Sequence, residues 1–258
     1  VRVFRRSAAG VLSRGYASLQ RHASTFSDAV RAPMDTLHRF REAALDVAVL
    51  TDVTPEAVTR VVARVATFSR MHLYRGELFV QGARHVPDVN IRLFTLADFL
   101  AIDPAARARL VDRLDLVEAR CREKWERGDL VVLAELHGEP VGILWCARNR
   151  VQVPEIGREV RPQWGEGYIH DVFVAPEARG RAVAPAMLDF VARELRGRDV
   201  YRAWALIERA NTPSTRAFEK AGYVSVADVI YARMGRASKL LVRPPDEGAR
   251  AFLGLQKR

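Results

Sequence analysis

The stretch VFVAPEARGRAVA, Val172 to Ala184, limits what this chain can fold into more than any other. The run GYIHDVFVA is β-branched and aromatic and predicts a strand, and Pro176-Glu177 predicts a turn. Val183, Met187, Phe190, Val191 and Leu195 then recur at a helical period. The loop Arg179-Gly180-Arg181-Ala182-Val183-Ala184 therefore lies at a helix N-terminus. A first helical turn has unpaired N–H donors and the positive end of the dipole, and Arg179 and Arg181 add full charges beside it. A pyrophosphate would fit there, although a plain strand-to-helix turn with solvated arginines has the same local sequence.

The flanking segments supply an α/β frame. VNIRLFTLADF predicts a first strand near Asn90 to Phe94. Asp103-Pro104 then starts a helix as N-cap and first residue, with Leu110, Leu114, Val117, Cys121 and Trp125 on one face and Gly128 as its stop. Leu130 to Leu136 and Val141 to Ala147 predict a hairpin around His137-Gly138-Glu139-Pro140. The polar stretch between Ala147 and Gly165 is long enough to cover an acceptor site. From Tyr201, YRAWALIERANTPSTRAFEKAGY predicts a strand to about Ile207, a turn, a short helix from Ser214 to Lys220, and a Gly-aromatic stop at Gly222-Tyr223.

The loop Arg179 to Ala184 resembles the acyl-CoA-binding motif of the GNAT superfamily of N-acyltransferases, which runs Arg or Gln, two residues, Gly, one residue, Gly or Ala. Arg179 and Ala184 match, and Ala182 stands where the family usually has its first glycine. Asn211, Gly222 and Tyr223 fall where the same superfamily has a strand-ending Asn and a closing Gly-Phe pair. The resemblance implies a GNAT-type mixed central sheet flanked by helices. It implies transfer of an acetyl or other short acyl group from acetyl-CoA, the donor substrate, to an amine acceptor by direct attack in a ternary complex.

The coenzyme contacts so implied are Phe173 and Val174 on the fourth strand, the loop Arg179, Gly180, Arg181, Ala182, Val183 and Ala184, and Asn211, Ser214 and Phe218 beyond it. An amine acceptor needs a base, and the candidates are His170, Asp171 and Glu166. His170 has an ordinary pKa of roughly 6.5, and strand alternation puts Asp171 on the face opposite to it. The family's usual general acid is a tyrosine seven residues after the Asn, and this chain has Phe218 there. Water, Tyr223 or Tyr168 could then protonate the thiolate; the alternative function is a catalytically weak acyl-CoA-binding regulatory module that docks a partner.

Composition excludes several other classes. The two cysteines, Cys121 and Cys146, fall on apolar stretches and give no disulfide framework. The six histidines have no metal-ligand spacing, so no metal is expected. No apolar run approaches the roughly 18 residues of a membrane span, and a cytoplasmic enzyme is expected. A net charge of +10 is spread along the chain, without a helix-turn-helix, zinc finger or aromatic RNA-binding signature, and no specific nucleic acid is expected.

The domain reading is an N-terminal extension at 1–89, a GNAT-like domain at 90–236 and a C-terminal tail at 237–258. The opening 27 residues carry five arginines and no acidic residue. They read first as a basic tail, second as an interfacial helix in weak peripheral contact with a membrane, and third as a targeting presequence. Thr54-Pro55 starts a further helix whose stripe Val58, Val61, Val62, Val65 and Phe68 would pack on the catalytic domain or, in a homodimer, on a second subunit.

Overall fold

The computed structural model describes residues 66–78, 84–234 and 237–255. In chain order the elements are strands β1 (Ala66–Glu77) and β2 (Val89–Leu93), helices α1 (Leu96–Ala101), α2 (Pro104–Arg113) and α3 (Glu118–Glu126), and strands β3 (Leu130–Leu136), β4 (Glu139–Ala147), β5 (Val151–Val153), β6 (Arg158–Val160) and β7 (Glu166–Val174). Helix α4 (Val183–Arg196), strand β8 (Arg202–Glu208), helix α5 (Thr212–Lys220), strands β9 (Val224–Met234) and β10 (Ala237–Arg243), and helix α6 (Glu247–Phe252) complete the chain. Packing divides it into a unit of 1–67 with 232–238, of which only strand ends are described, and a unit of 68–231 with 239–258, which holds everything discussed below.

Eight strands form one sheet in the order β10-β9-β1-β8-β7-β4-β3-β2. The β3–β4 hairpin closes through His137 and Gly138, both at positive φ (52° and 84°), the pair of left-handed residues that a twisted two-residue hairpin turn requires. Strands β7 and β8 run parallel, in register from Glu166 opposite Arg202 to Ile169 opposite Ala205, and α4 makes the crossover between them. Beyond Ile169 the two part. β7 stays paired with β4 as far as Val174, whereas β8 stays paired with β1 as far as Glu208 opposite Met71. A gap between two parallel strands is thereby built into the middle of the sheet.

Helices α4 and α5 cover one face, where Met187, Leu188, Val191, Leu195 and Phe218 pack with Leu144, Cys146, Ile169 and Ala205. Each Val, Leu, Ile, Met or Phe side chain among them, fully buried, contributes roughly 1.5–3 kcal/mol. The other face has two layers. Helices α1 to α3 bring Phe99, Leu110, Leu114 and Cys121 onto Val131, Leu133, Ile143 and Trp145. Separately, α6 and the β5–β6 hairpin bring Phe252, Val151, Ile156 and Val160 onto Leu73, Trp204 and Tyr168. Both cysteines are free and buried, and burial pushes the Cys146 thiol up to about 12.

Several expectations change here. The sheet extends past both edges of the 90–236 segment, since β1 lies between β8 and β9, and β10 and α6 lie in the expected tail. Phe68 is a strand residue of β1 rather than part of a helical stripe; the rest of that stripe, and the arginine-rich opening, lie outside the described residues. The helix expected from Pro104 to Gly128 is two helices. Asp115 at φ 51° turns the chain between them, so Leu110, Leu114 and Cys121 remain buried while Val117 becomes 54% exposed. The polar stretch after Ala147 is the β5–β6 hairpin, docked on α6 by Arg161 N–H donating to the Phe252 carbonyl at 2.7 Å. Among the described residues no helix is long and apolar enough to cross a membrane, and no group of His, Cys, Asp and Glu could hold a metal ion.

Candidate active site

The gap between β7 and β8 opens toward the N-terminus of α4. Between β7 and α4 the chain turns through Pro176–Ala178, and Arg179 Nε donates back to the Val174 carbonyl at 3.1 Å, tying the loop to the strand end. Gly180 has φ 80° and Ala182 has φ 61°, both left-handed. Left-handed residues at such close spacing are a backbone feature of anion-binding nests. The backbone N–H groups of Gly180, Arg181, Ala182, Val183 and Ala184 have no acceptor among the described residues. A side chain built on Gly180 would meet nothing within 4 Å. The expected loop is therefore an open row of donors, with Arg181 exposed beside it.

The opposite wall of the gap is the N-terminus of α5. Asn211 is its N-cap, with Oδ1 accepting from Ser214 N–H at 3.1 Å, so the amide Nδ2 is the part of Asn211 left for a ligand. Phe173 and Val174 lie on β7 past the last β7–β8 pair, where one edge of the strand has no neighbouring strand. Phe218 differs from its expected place. It is 3% exposed and packs against Tyr223 and Tyr74, with ring centroids 5.0 Å and 6.5 Å away, which makes it a core residue. Tyr223 and Tyr168, the two alternative proton donors, are buried as well, and burial raises both phenols.

The three candidate bases do not stay together. Glu166 is buried at the start of β7, where its carboxylate accepts from Gln163 N–H at 3.0 Å and pairs with Arg202 at 3.4 Å. It caps a turn at the end of the strand away from the gap. His170 and Asp171, expected on opposite faces, share one. A β-bulge between β4 and β7 sets Trp145 opposite His170 and Ile143 opposite Phe173, and Asp171 at the bulge takes φ 47°. An extra residue in a left-handed conformation breaks the period of two, so the Asp171 carboxylate swings back to the His170 ring.

That ring is held at both nitrogens. Nδ1 lies 3.0 Å from Asp171 Oδ2, and Nε2 lies 3.2 Å from Asp129 Oδ2. Lys124 Nζ donates to the same Asp171 oxygen at 2.5 Å, and Arg127 donates to both oxygens of Asp129, Nε to Oδ1 at 3.0 Å. Tyr168 stacks on the imidazole at 5.4 Å, and Lys124 lies 4.5 Å over the Trp145 ring. Burial opposes the imidazolium, but the bonds to Asp129 and Asp171 outweigh it and raise the His170 pKa. Burial would likewise raise the two carboxyls, but the bonds from His170 hold both below the usual range, with Arg127 assisting at Asp129 and Lys124 at Asp171. Asp171 is the exposed member, at 59% of its side chain, and its Oδ1 is the oxygen these cations leave free.

Residues 98–223 match the profile of the acetyltransferase (GNAT) family. They form a GNAT-family acetyltransferase domain. The chain is 28% identical over 131 residues to the mycothiol acetyltransferase of Acidothermus cellulolyticus, covering 48% of this chain and 39% of that relative's length. Among solved structures it is similar to a GNAT-family protein of Novosphingobium aromaticivorans, with a TM-score of 0.47 and 13% identity over 67% of each chain. It is also similar to a GCN5-related N-acetyltransferase of Sphaerobacter thermophilus, with a TM-score of 0.46 and 17% identity over 70% of this chain and 57% of that one. Lys124, Arg127 and Asp129 were not among the residues picked out from sequence. The signal that could have found Asp129 is a carboxylate placed between a helix-stopping Gly128 and the apolar run Leu130 to Leu136, where a charge has to be buried.

Proposed function

We propose that the domain transfers a short acyl group from acyl-CoA to an amine acceptor by direct attack in a ternary complex. The observation that carries this reading is the row of five open N–H groups from Gly180 to Ala184 at the mouth of the β7–β8 gap. A pyrophosphate there would accept several charge-assisted hydrogen bonds. The acyl thioester would then reach along the gap to the unpaired edge of β7 at Phe173 and Val174, whose backbone suits a developing oxyanion.

The acceptor end is assigned to the face bearing Asp171. Oδ1 of Asp171 would take an amine N–H and orient the nitrogen lone pair at the carbonyl carbon. The C–N bond forms, the C–S bond breaks, and the amine proton passes through water to the departing thiolate; Asp171, whose carboxyl is held below the usual range, orients the amine rather than taking its proton. A thiol-like pKa of about 8.5 makes the thiolate a workable leaving group without a tyrosine acid. Glu166 has no part in this chemistry. A second reading, an acyl-CoA-binding module with slow turnover, is favoured by Phe218, a buried side chain without a proton to give at the position where the family usually has its tyrosine acid.

The test is a screen of amines, from small metabolite-like amines and amino sugars to peptide N-termini, with acetyl-CoA and detection of released thiol, together with calorimetry of CoA. Amine-dependent thiol release supports transfer. Tight CoA binding without release under any amine supports the slow module, and no CoA binding removes both readings.

A further inference from the structure

The fully buried carboxylate of Asp129 has a cost and no structural necessity that the packing around it supplies. Its side chain has no exposed surface, and an unpaired charge in such a place would be strongly destabilising. An apolar residue at the entrance of an apolar strand would avoid that cost. What Asp129 does have is a fixed position: its backbone N–H closes the end of α3 onto the Lys124 carbonyl at 3.0 Å, just after Gly128 turns the chain at φ 89°. The same helix end therefore carries two clamps. Lys124 holds Asp171, and Asp129 holds His170.

We infer that Asp129 is a positioning residue of the acyl-transfer site, its carboxylate holding the Nε2 edge of His170 and, through that ring, setting the Asp171 bulge. The inference rests on the proposed acyl-transfer reading for its functional consequence. The bulge fixes two things that reading uses, the free Oδ1 of Asp171 and the direction of β7 along the gap. The charged and titratable groups facing His170 are Asp129 and Arg127 from the α3–β3 junction, Lys124 of α3 through Asp171, Asp171 on its own strand, and Tyr168 stacked on the ring. A carboxylate at each nitrogen favours the imidazolium, the form that donates from both edges. The ring orients Asp171 rather than taking the acceptor's proton itself.

The test is a titration of the His170 ring by NMR in the full-length protein, with the signal among the six histidines assigned through His170→Gln. Wild type should show both ring nitrogens protonated at neutral pH. Asp129→Asn keeps the shape but removes the charge, and should lower the ring's titration by about one unit or more. Arg127→Gln leaves Asp129 with His170 as its remaining partner and should move the titration the opposite way, upward. A residue that merely filled space would give no such pair of opposite shifts. Where an amine acceptor is turned over, Asp129→Asn should lower kcat about tenfold or more while CoA affinity is unchanged. An unmoved titration in both variants, or shifts of the same sign, overturns the inference. If Asp129→Asn does not fold, Arg127→Gln decides alone, and an unmoved ring there overturns it. None of the ring titrations requires turnover, so failure of the acyl-transfer reading would be seen separately.

Discussion

Asp171 accepts a hydrogen bond from the ring of its own chain neighbour, His170 Nδ1, at 3.0 Å, because its backbone stands at φ 47° on an otherwise extended strand. Two consecutive strand residues normally point to opposite faces. Here the bulge brings both onto the side covered by α3 and α6, and leaves one carboxylate oxygen facing out. A non-glycine residue in the left-handed region costs about 1–2 kcal/mol, which the contacts to His170 and Lys124 offset. The geometry gives different surroundings to His170, Asp171 and Glu166, which sequence alone treats as equals.

Asp171→Asn should reduce turnover by about 100-fold or more while CoA affinity stays as in wild type, since Asn cannot carry the charge that holds His170 and Lys124. Glu166→Gln should behave in the opposite way. It loses a buried pairing with Arg202, destabilises by roughly 1–3 kcal/mol, and leaves kcat within about twofold. Steady-state kinetics and thermal melts on the two variants check this. A large kcat loss in Glu166→Gln with intact Asp171→Asn activity would reverse the assignment.

Stability should depend on pH through the same cluster, and the signs differ for its members. His170 has a raised pKa, so its contribution is complete below its ordinary value of 6.5 and is lost as pH rises through the raised folded value. Asp129 and Asp171 are depressed from 3.8, so theirs is present above that value and lost as pH falls through the lower folded values. The cluster therefore contributes most between about pH 4 and 6.5. The melting-temperature gap between wild type and His170→Gln should be wide at pH 6 and narrow toward pH 9. A gap that widens with rising pH would mean the ring is neutral in the fold.

At Ala182 the φ of 61° puts a Cβ where the backbone prefers none, and the residue is also the N-cap of α4 without a side-chain cap bond. Ala182→Gly relieves that conformation but adds freedom to the unfolded chain, about 0.4–1 kcal/mol in the other direction. The balance should be a gain of up to roughly 1 kcal/mol, or a few degrees in melting temperature. CoA binding should hold or tighten, because the N–H row is unchanged and the loop presents less bulk. Ala182→Val, with a β-branched side chain in the same place, should lose both stability and affinity. Calorimetry and melts that rank glycine below alanine would show that the loop relaxes out of the left-handed conformation.

Local sequence signals carried the strand, the turn and the helix start well, since all of them lie within Val172 to Ala184. The same holds for the β3–β4 hairpin, whose His137-Gly138 turn is contiguous. Asp129 meets His170 across 41 residues of chain, and only the pairing of β3, β4 and β7 brings them together. The bulge defeats a period-two reading at one residue, which no periodicity can report. Strand β1 was hidden for a third reason. Its place between β8 and β9 is fixed by pairing with distant strands, as Tyr74 opposite Ala205 shows, and nothing in ATFSRMHLYRGE names those partners.

Phe218 invites the substitution that would restore a proton donor, and the structure predicts that the substitution fails. The ring is 3% exposed, wedged edge-on against Tyr223 at 5.0 Å, in the core beneath α4 and α5. The Tyr223 hydroxyl there already has no hydrogen-bond partner among the described residues. A second phenol in the same place would have to bury another hydroxyl or push α5 outward. Phe218→Tyr should therefore destabilise by about 1–3 kcal/mol, through overpacking and an unsatisfied O–H, with no rise in turnover. Thermal melts and kcat under saturating acetyl-CoA and amine read the two effects separately. A rise in kcat at unchanged stability would show the hydroxyl reaching the thiolate, and would place Phe218 on the wall of the gap rather than in the core.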